Sequence, residues 1–432
     1  MQHEQRLAAL AVLRVLAGEP LPVALAAVAD GAPTRGHSFV QELAYGTLRH
    51  WGRLDALTQA LTTKPLADRP LAALIAVALY QLDHTRAPAF AVVDQAVEAV
   101  VLVARPQAKP LVNALLRRYL RERDALNAQV AGASPVAKWS YPRWWIGRVE
   151  ADFPQHWEAI LAAGNERPPL TVRVNRQVTS REALAAQWAL TGIETAPVGA
   201  EGLVVLVPQP VTELPGFTEG AFAVQDAGAQ LAAPLLALED GMRVLDACAA
   251  PGGKAAHLAA IAAIELTALD NDAARLLRVA DNLARLRVAG PRVRTLVGDA
   301  GDPAGWWDGR PFNRILADVP CTASGVVRRH PDAKWLRRRS DIESFAAQQR
   351  RMLPALWRML APGGRLLYAT CSVFAAENSN QINAFLQDHP EALRETITIP
   401  DEYPQVEGQL LPAANGAVHN QDGFFYALLR KA

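Results

Sequence analysis

Cys248, Cys321 and Cys371 are the only cysteines in the chain, and each sits at or just after the end of a short apolar run. Cys248 follows Val244-Leu245-Asp246-Ala247, Cys321 follows Asp318-Val319-Pro320, and Cys371 lies in Ala369-Thr370-Cys371-Ser372. A thiolate is a soft nucleophile, suited to adding to an electron-poor ring. Cys321 and Cys371 are placed for that chemistry. Cys248 reads equally as a small buried hydrophobe or as part of a cofactor lining. Asp246, Asp270, Asp299 and Asp318 stand at or just beyond the ends of similar runs. Any one of them could cap the next helix. Together with the cysteines they predict one polar rim, because ligands of open α/β sheets bind beyond the carboxyl ends of the strands.

Between Cys248 and the next helix runs Ala249-Ala250-Pro251-Gly252-Gly253-Lys254. Its glycines let backbone pass close to a ligand at a helix start. The turn is not a G-x-G-x-x-G fingerprint. It is not a phosphate-binding Walker loop either, since Ala255 follows Lys254 and Cys248 stands where the first glycine belongs. An acid closing the following strand, Asp270, suits a ribose diol. A nucleoside ligand without a phosphate cradle points to S-adenosylmethionine.

The elements that must carry these groups are legible by periodicity. Strands are expected at Arg243–Cys248, Leu266–Asp270, Arg294–Gly298, Arg314–Asp318, Gly364–Cys371 and Gly423–Arg430, with helices at Lys254–Ala263, Ala273–Arg287 and Ser340–Leu360. That alternation predicts a parallel sheet covered on both faces, over residues 220–432. Residues 1–125 read as all-helical, with apolar periodicity in Leu7–Leu16, Phe39–Leu48, Leu71–Leu82, Val92–Val103 and Leu111–Leu120. Breaks fall at Gly18-Glu19-Pro20, Gly31-Ala32-Pro33, Lys64-Pro65, Arg86-Ala87-Pro88 and Arg105-Pro106. The last helix carries Arg117, Arg118, Arg121 and Arg123, either a solvated face or an RNA-facing patch. Between these parts, residues 126–219 open with a loose stretch, Asn127–Ala137. Aromatics from Trp139 to Trp157 follow, either the core of a small domain or base-stacking groups among basic residues. Strands Leu170–Asn175 and Leu203–Val207 around a helix Ser180–Leu190 complete a small α+β unit.

Composition sets the outer limits. With 432 residues, half of them apolar, the chain affords two or three domains. A net charge of +1 leaves nucleic-acid affinity to local patches. The densest patch is Arg328, Arg329, Lys334, Arg337, Arg338 and Arg339, whose position after the Cys321 loop favours RNA phosphates over a solvated helix start. Few cysteines in odd number fit a reducing cytoplasm, and no run approaches a membrane span. His and Cys spacing suggests no metal.

Asp246–Lys254 (DACAAPGGK), Ala317–Gly325 (ADVPCTASG), Arg328–Asp332 (RRHPD) and Tyr368–Ser372 (YATCS) resemble the RNA cytosine-5 methyltransferases, as do Phe222–Gln230 and Asp422–Leu429. The N-terminal region resembles a NusB-like domain, and the combination resembles the bacterial enzymes of the Sun/Fmu type that act on a 967-type cytosine of 16S rRNA. The resemblance spans essentially the whole chain. It implies an all-α NusB-like domain, a small α+β RNA-binding domain, and an α/β Rossmann-like methyltransferase domain using S-adenosylmethionine. It further implies that Cys371 adds to C6 of the cytosine, that Asp318 holds the N3 and amino edge and borders the methyl donor, and that Cys321 helps to eliminate the adduct. Cys248–Lys254 would wrap the methionine moiety, with Asp270 on the ribose and Asp299 on the adenine amino group. The partner is 16S rRNA, naked or in an early assembly intermediate, and a monomer is expected. The base that removes the C5 proton, Cys321 or water, stays open. Two other readings are a tRNA or different rRNA target, and a non-catalytic RNA-binding assembly or antitermination factor. DNA methylation is disfavoured because it would not need Cys371.

Overall fold

The computed structural model describes residues 2–29, 36–103, 105–416 and 420–432; the break expected at Gly31-Ala32-Pro33 lies outside them. Two compact units result: Met1–Glu166 with Val327–Arg339, and Arg167–Val326 with Ser340–Ala432.

The first unit is helical and is organised around the helix Arg69–His84. Every residue from Leu71 to Gln81 in it is buried, which is what a helix apolar on all sides requires. Its start is fixed by Asp68, whose side chain accepts from the Leu71 N–H, with Pro70 in the first turn. The loose stretch expected after Asn127 is instead helix. Lys109–Ala133 runs on through a non-helical Glu122, and Ser134 then caps Pro135–Trp139. Arg118 pairs with Glu122 and Arg123 with the buried Asp83, so this arginine face is partly structural. Tyr141 and Trp145 are buried, so the aromatic run serves largely as core.

Of the six cations expected as RNA-phosphate ligands, Arg328, Arg329, Lys334, Arg337, Arg338 and Arg339, two do not reach solvent. Lys334 is fully buried, with Nζ donating to the carbonyls of Arg49 and Ser140 and to Oδ1 of Asn165, over the Tyr141 ring. Burial holds its amine well below the usual lysine range. Arg328 is 1% exposed, and its carbonyl accepts from Arg49. Asp332 receives the Leu21 N–H, and the Trp335 indole donates to the Leu48 carbonyl. These two cations are therefore withdrawn as phosphate ligands. Arg338 and Arg339 are exposed, and Arg329 and Arg337 half-buried.

The second unit holds two sheets. The small one orders its antiparallel strands β2 (Thr195–Val198), β3 (Gly202–Val205), β1 (Leu170–Val174), β4 (Phe222–Val224). The large one runs β7 (Val293–Val297), β6 (Glu265–Asp270), β5 (Arg243–Asp246), β8 (Phe312–Asp318), β9 (Leu360–Thr370), β13 (Phe424–Lys431). β5 to β9 pair in parallel and β13 antiparallel. Short strands β10 (Ala392–Glu395), β11 (Gln405–Val406) and β12 (Gln409–Leu410) extend the β13 side. Chain order reverses at β5, which lies between β6 and β8, and that reversal opens a crevice at the carboxyl ends. The helices Gly253–Ile261, Ala273–Arg285 and Arg339–Met359 make the crossovers where periodicity expects them.

Candidate active site

A cavity of about 190 Å³ opens at those strand ends. Of the expected site residues, Cys248, Ala250, Asp270, Asp299, Asp318, Cys321 and Cys371 line it. They arrive from the ends of all five parallel strands, so the rim is a property of the sheet rather than of one loop.

β5 delivers the glycine turn. Gly252 has φ 102°, and a Cβ there would stand 3.0 Å from the Val279 backbone, so only glycine fits without displacement. Asp270 braces the turn. Its Oδ2 accepts from the Ala250 N–H at 3.1 Å and its Oδ1 from Asp272 N–H at 3.1 Å. The helix cap is Asp272, which takes the Ala274 and Arg275 N–H groups, so Asp270 is released from that duty. A carboxylate offers about four acceptor positions, which leaves Asp270 capacity for ribose hydroxyls. Asp299 accepts from the Gly301 N–H and pairs with Arg351 at 2.9 Å.

Lys254 points not along the turn but to Asp318, with Nζ 2.6 Å from Oδ2. Burial opposes the ammonium, yet Asp318 outweighs it and holds the lysine above its usual range. Asp246 is the group that sequence reasoning used only as a marker. It is 1% exposed, and neither carboxylate oxygen reaches a hydrogen-bond partner among the described residues. Burial, then Asp318, pushes it up to about 7. An orphaned acceptor beside Ala247, which lines the cavity, fits a ligand bearing N–H or O–H donors. The site is thus consistent with an S-adenosylmethionine pocket.

The two remaining strands bring the cysteines together. Cys321 Sγ and Cys371 Sγ lie 3.4 Å apart. Cys321 is buried and Cys371 half-buried. The approach of Cys371, then burial, then the Glu377 carboxylate push the Cys321 thiol well above its ordinary range, so it keeps its proton. Cys248 is likewise held protonated, by burial and by Asp318, Asp246 and Asp270.

Beneath the sulfurs lies a polar cluster with no signal in the sequence. Thr322, Ser324, Ser372, Glu377 and Asn378 are all buried, and Ser372 Oγ donates to Glu377 at 2.5 Å.

A family model described as "16S rRNA methyltransferase RsmB/F" matches residues 233–430; a ferredoxin-like domain model of the same proteins matches 141–212 and a NusB family model 3–121. Among curated proteins, "Ribosomal RNA small subunit methyltransferase B" of Pseudomonas putida is 44% identical over 98% of this chain and 97% of its own length. The protein of that name from Vibrio cholerae is 41% identical over 96% and 94%. The solved structure of PH0851 superposes with a TM-score of 0.77 at 25% identity, covering 100% of this chain and 99% of that one.

Proposed function

The chain belongs to the 16S rRNA methyltransferase RsmB/F family, and from that premise we propose that it methylates C5 of a specific, 967-type cytosine of 16S rRNA through a transient Cys371–C6 bond. It is a methyltransferase acting on RNA, and S-adenosylmethionine is its cofactor. The cofactor supplies an electrophilic methyl group.

C5 of cytosine is a weak nucleophile until something adds at C6. The Cys371 thiolate makes that bond, and Asp318 engages the N3 and amino edge where charge develops. After methylation water takes the C5 proton, and its electron pair re-forms the C5=C6 double bond. The Cys371–C6 bond breaks with Cys371 leaving as thiolate beside the protonated Cys321, which can share its proton with it. One observation carries this reading: the 3.4 Å thiol pair, one member buried and protonated, the other half-buried, both on the cavity that Asp318 also lines. The turn from Cys248 to Gly253 holds the methionine moiety, with Lys254 turned away to Asp318, Asp270 the ribose and Asp299 the adenine amino group. Exposed Arg338 and Arg339, with Arg329 and Arg337, take RNA phosphates. Residues 1–125 and 126–219 serve RNA, joined by the basic residues of 327–339, and the rest of 220–432 serves the chemistry.

The test is direct. The protein is incubated with S-adenosylmethionine and unmodified 16S rRNA, beside bulk tRNA, and the methylated nucleoside is mapped by mass spectrometry. A single 5-methylcytidine in 16S rRNA alone is expected. The same product in tRNA would keep the chemistry and discard the target.

A further inference from the structure

We propose that Glu377 is a positioning residue that fixes the distance between the two cysteines. It lies in the short turn Ala375–Glu377 after β9 and is 0% exposed. Its carboxylate binds the residue immediately after each cysteine. Oε1 accepts from the Thr322 N–H at 2.8 Å, and Oε2 accepts from the Thr322 hydroxyl at 2.6 Å and the Ser372 hydroxyl at 2.5 Å. One acidic group therefore ties the loop leaving β8 to the loop leaving β9.

The donor set explains why the group is acidic. An amide N–H and two hydroxyls converge on it, and a carboxylate can accept from all three on two oxygens. A glutamine of the same size would either turn its NH2 toward the Thr322 N–H or present it to the two hydroxyls, which must then swing their protons away and give up the bonds they donate. Further stitches follow the same seam: Ser324 Oγ lies 2.9 Å from Ser372 Oγ and accepts from the Val373 N–H at 2.9 Å, and the Gly325 N–H donates to the Cys371 carbonyl at 2.8 Å. Thr322 and Ser372 also meet directly, but only at 3.4 Å between their hydroxyls, whereas Glu377 holds both at 2.5 to 2.6 Å.

Fixing both loops matters because the same adduct must be formed by one sulfur and resolved beside the other. The inference rests on the two-cysteine reading above. A misplacement of about 1 Å at a reacting group costs on the order of 100-fold in rate. Glu377 touches no wall of the cofactor cavity, so its loss falls on turnover and not on cofactor binding.

The experiment uses the full chain with S-adenosylmethionine and unmodified 16S rRNA. Glu377→Gln is expected to lower kcat about 100-fold, with KM for S-adenosylmethionine within about twofold of wild type. Thr322→Val, which keeps the side-chain shape and removes one donor, is expected to lower kcat about tenfold with the same unchanged KM. If Glu377→Gln fails to fold, Thr322→Val decides alone. Wild-type kcat in either folded variant, or a kcat loss matched by an equal change in KM, overturns the proposal. Cys371→Ala is measured alongside. Its retaining activity would sink the two-cysteine reading, whereas an inactive Cys371→Ala beside a fully active Glu377→Gln would sink the clamp alone.

Discussion

Lys254 and Asp318 form a 2.6 Å ion pair at the junction of the glycine turn and β8, linking the proposed cofactor wall to the proposed base-binding acid. Asp246 and Asp270 end β5 and β6, the next two strands beyond β8, so the lysine offsets charge in a cluster of three carboxylates. Lys254→Met is expected to destabilise the protein by about 1 to 2 kcal/mol, since it removes the partner of the half-buried Asp318. It should also lower kcat at least ~100-fold, as loss of one preorganised charge does. Denaturant titration and steady-state kinetics measure both.

Asp246 gives a pH dependence of known sign. The unfolded carboxyl titrates near 4, whereas the folded one titrates at about 7. Between those values the folded protein holds a proton that the unfolded chain has released, so its stability falls as pH rises across the window and is level above it. Asp246→Asn, neutral throughout, is expected to be more stable than wild type at pH 8, by on the order of 4 kcal/mol. The gap should close near pH 4. Equal gaps at both pH values would contradict the buried, shifted carboxyl.

The two cysteines make opposite predictions under denaturing electrophoresis. Cys321→Ala is expected to accumulate a protein–RNA adduct that survives denaturation, because the bond at Cys371 forms but is not resolved. Cys371→Ala should form none. The reversed pattern would exchange their roles.

The basic segment separates into cations that reach solvent and two, Arg328 and Lys334, that do not. Replacing Arg338 and Arg339 by Ala should flatten the dependence of log K for RNA on log salt by about 0.7 to 0.9 for each phosphate no longer neutralised. Lys334→Met should leave that slope unchanged and instead lower stability, because the carbonyls of Arg49 and Ser140 are deprived of a buried donor. Lys334 also makes wild type gain stability as pH rises toward 10. Its folded amine is deprotonated where the unfolded one still holds a proton. The Met variant should lack that gain.

Much of this was legible in the residues. The inner parallel strands are largely buried and so are written as apolar runs, whereas β7 at the sheet edge is only half-buried; all five end at or just before an Asp or Cys. Other features left no trace. β2 contains Pro197, which suits its place at the edge of the small sheet but disguises it as a loop. Lys334 is indistinguishable by type from Arg338, and only the carbonyls waiting for it separate a plug from a phosphate ligand. Glu377 binds through Thr322, distant in sequence, and a buried acceptor has no periodicity.

Residues 327–339 leave the catalytic unit just after the Cys321 loop, complete the helical unit, and hand the chain back at Ser340. Synthesis therefore cannot finish the first unit first. The helices emerge early, but the residues that cap Leu21, cover Leu48 and fill the acceptors around Tyr141 follow only after the small sheet and the first four strands of the large one. At ribosomal rates of about 5–20 residues per second, that interval is on the order of ten seconds or more. During it the N-terminal unit is an incomplete fold open to chaperones and proteases, and a stop codon before position 327 would leave it so permanently.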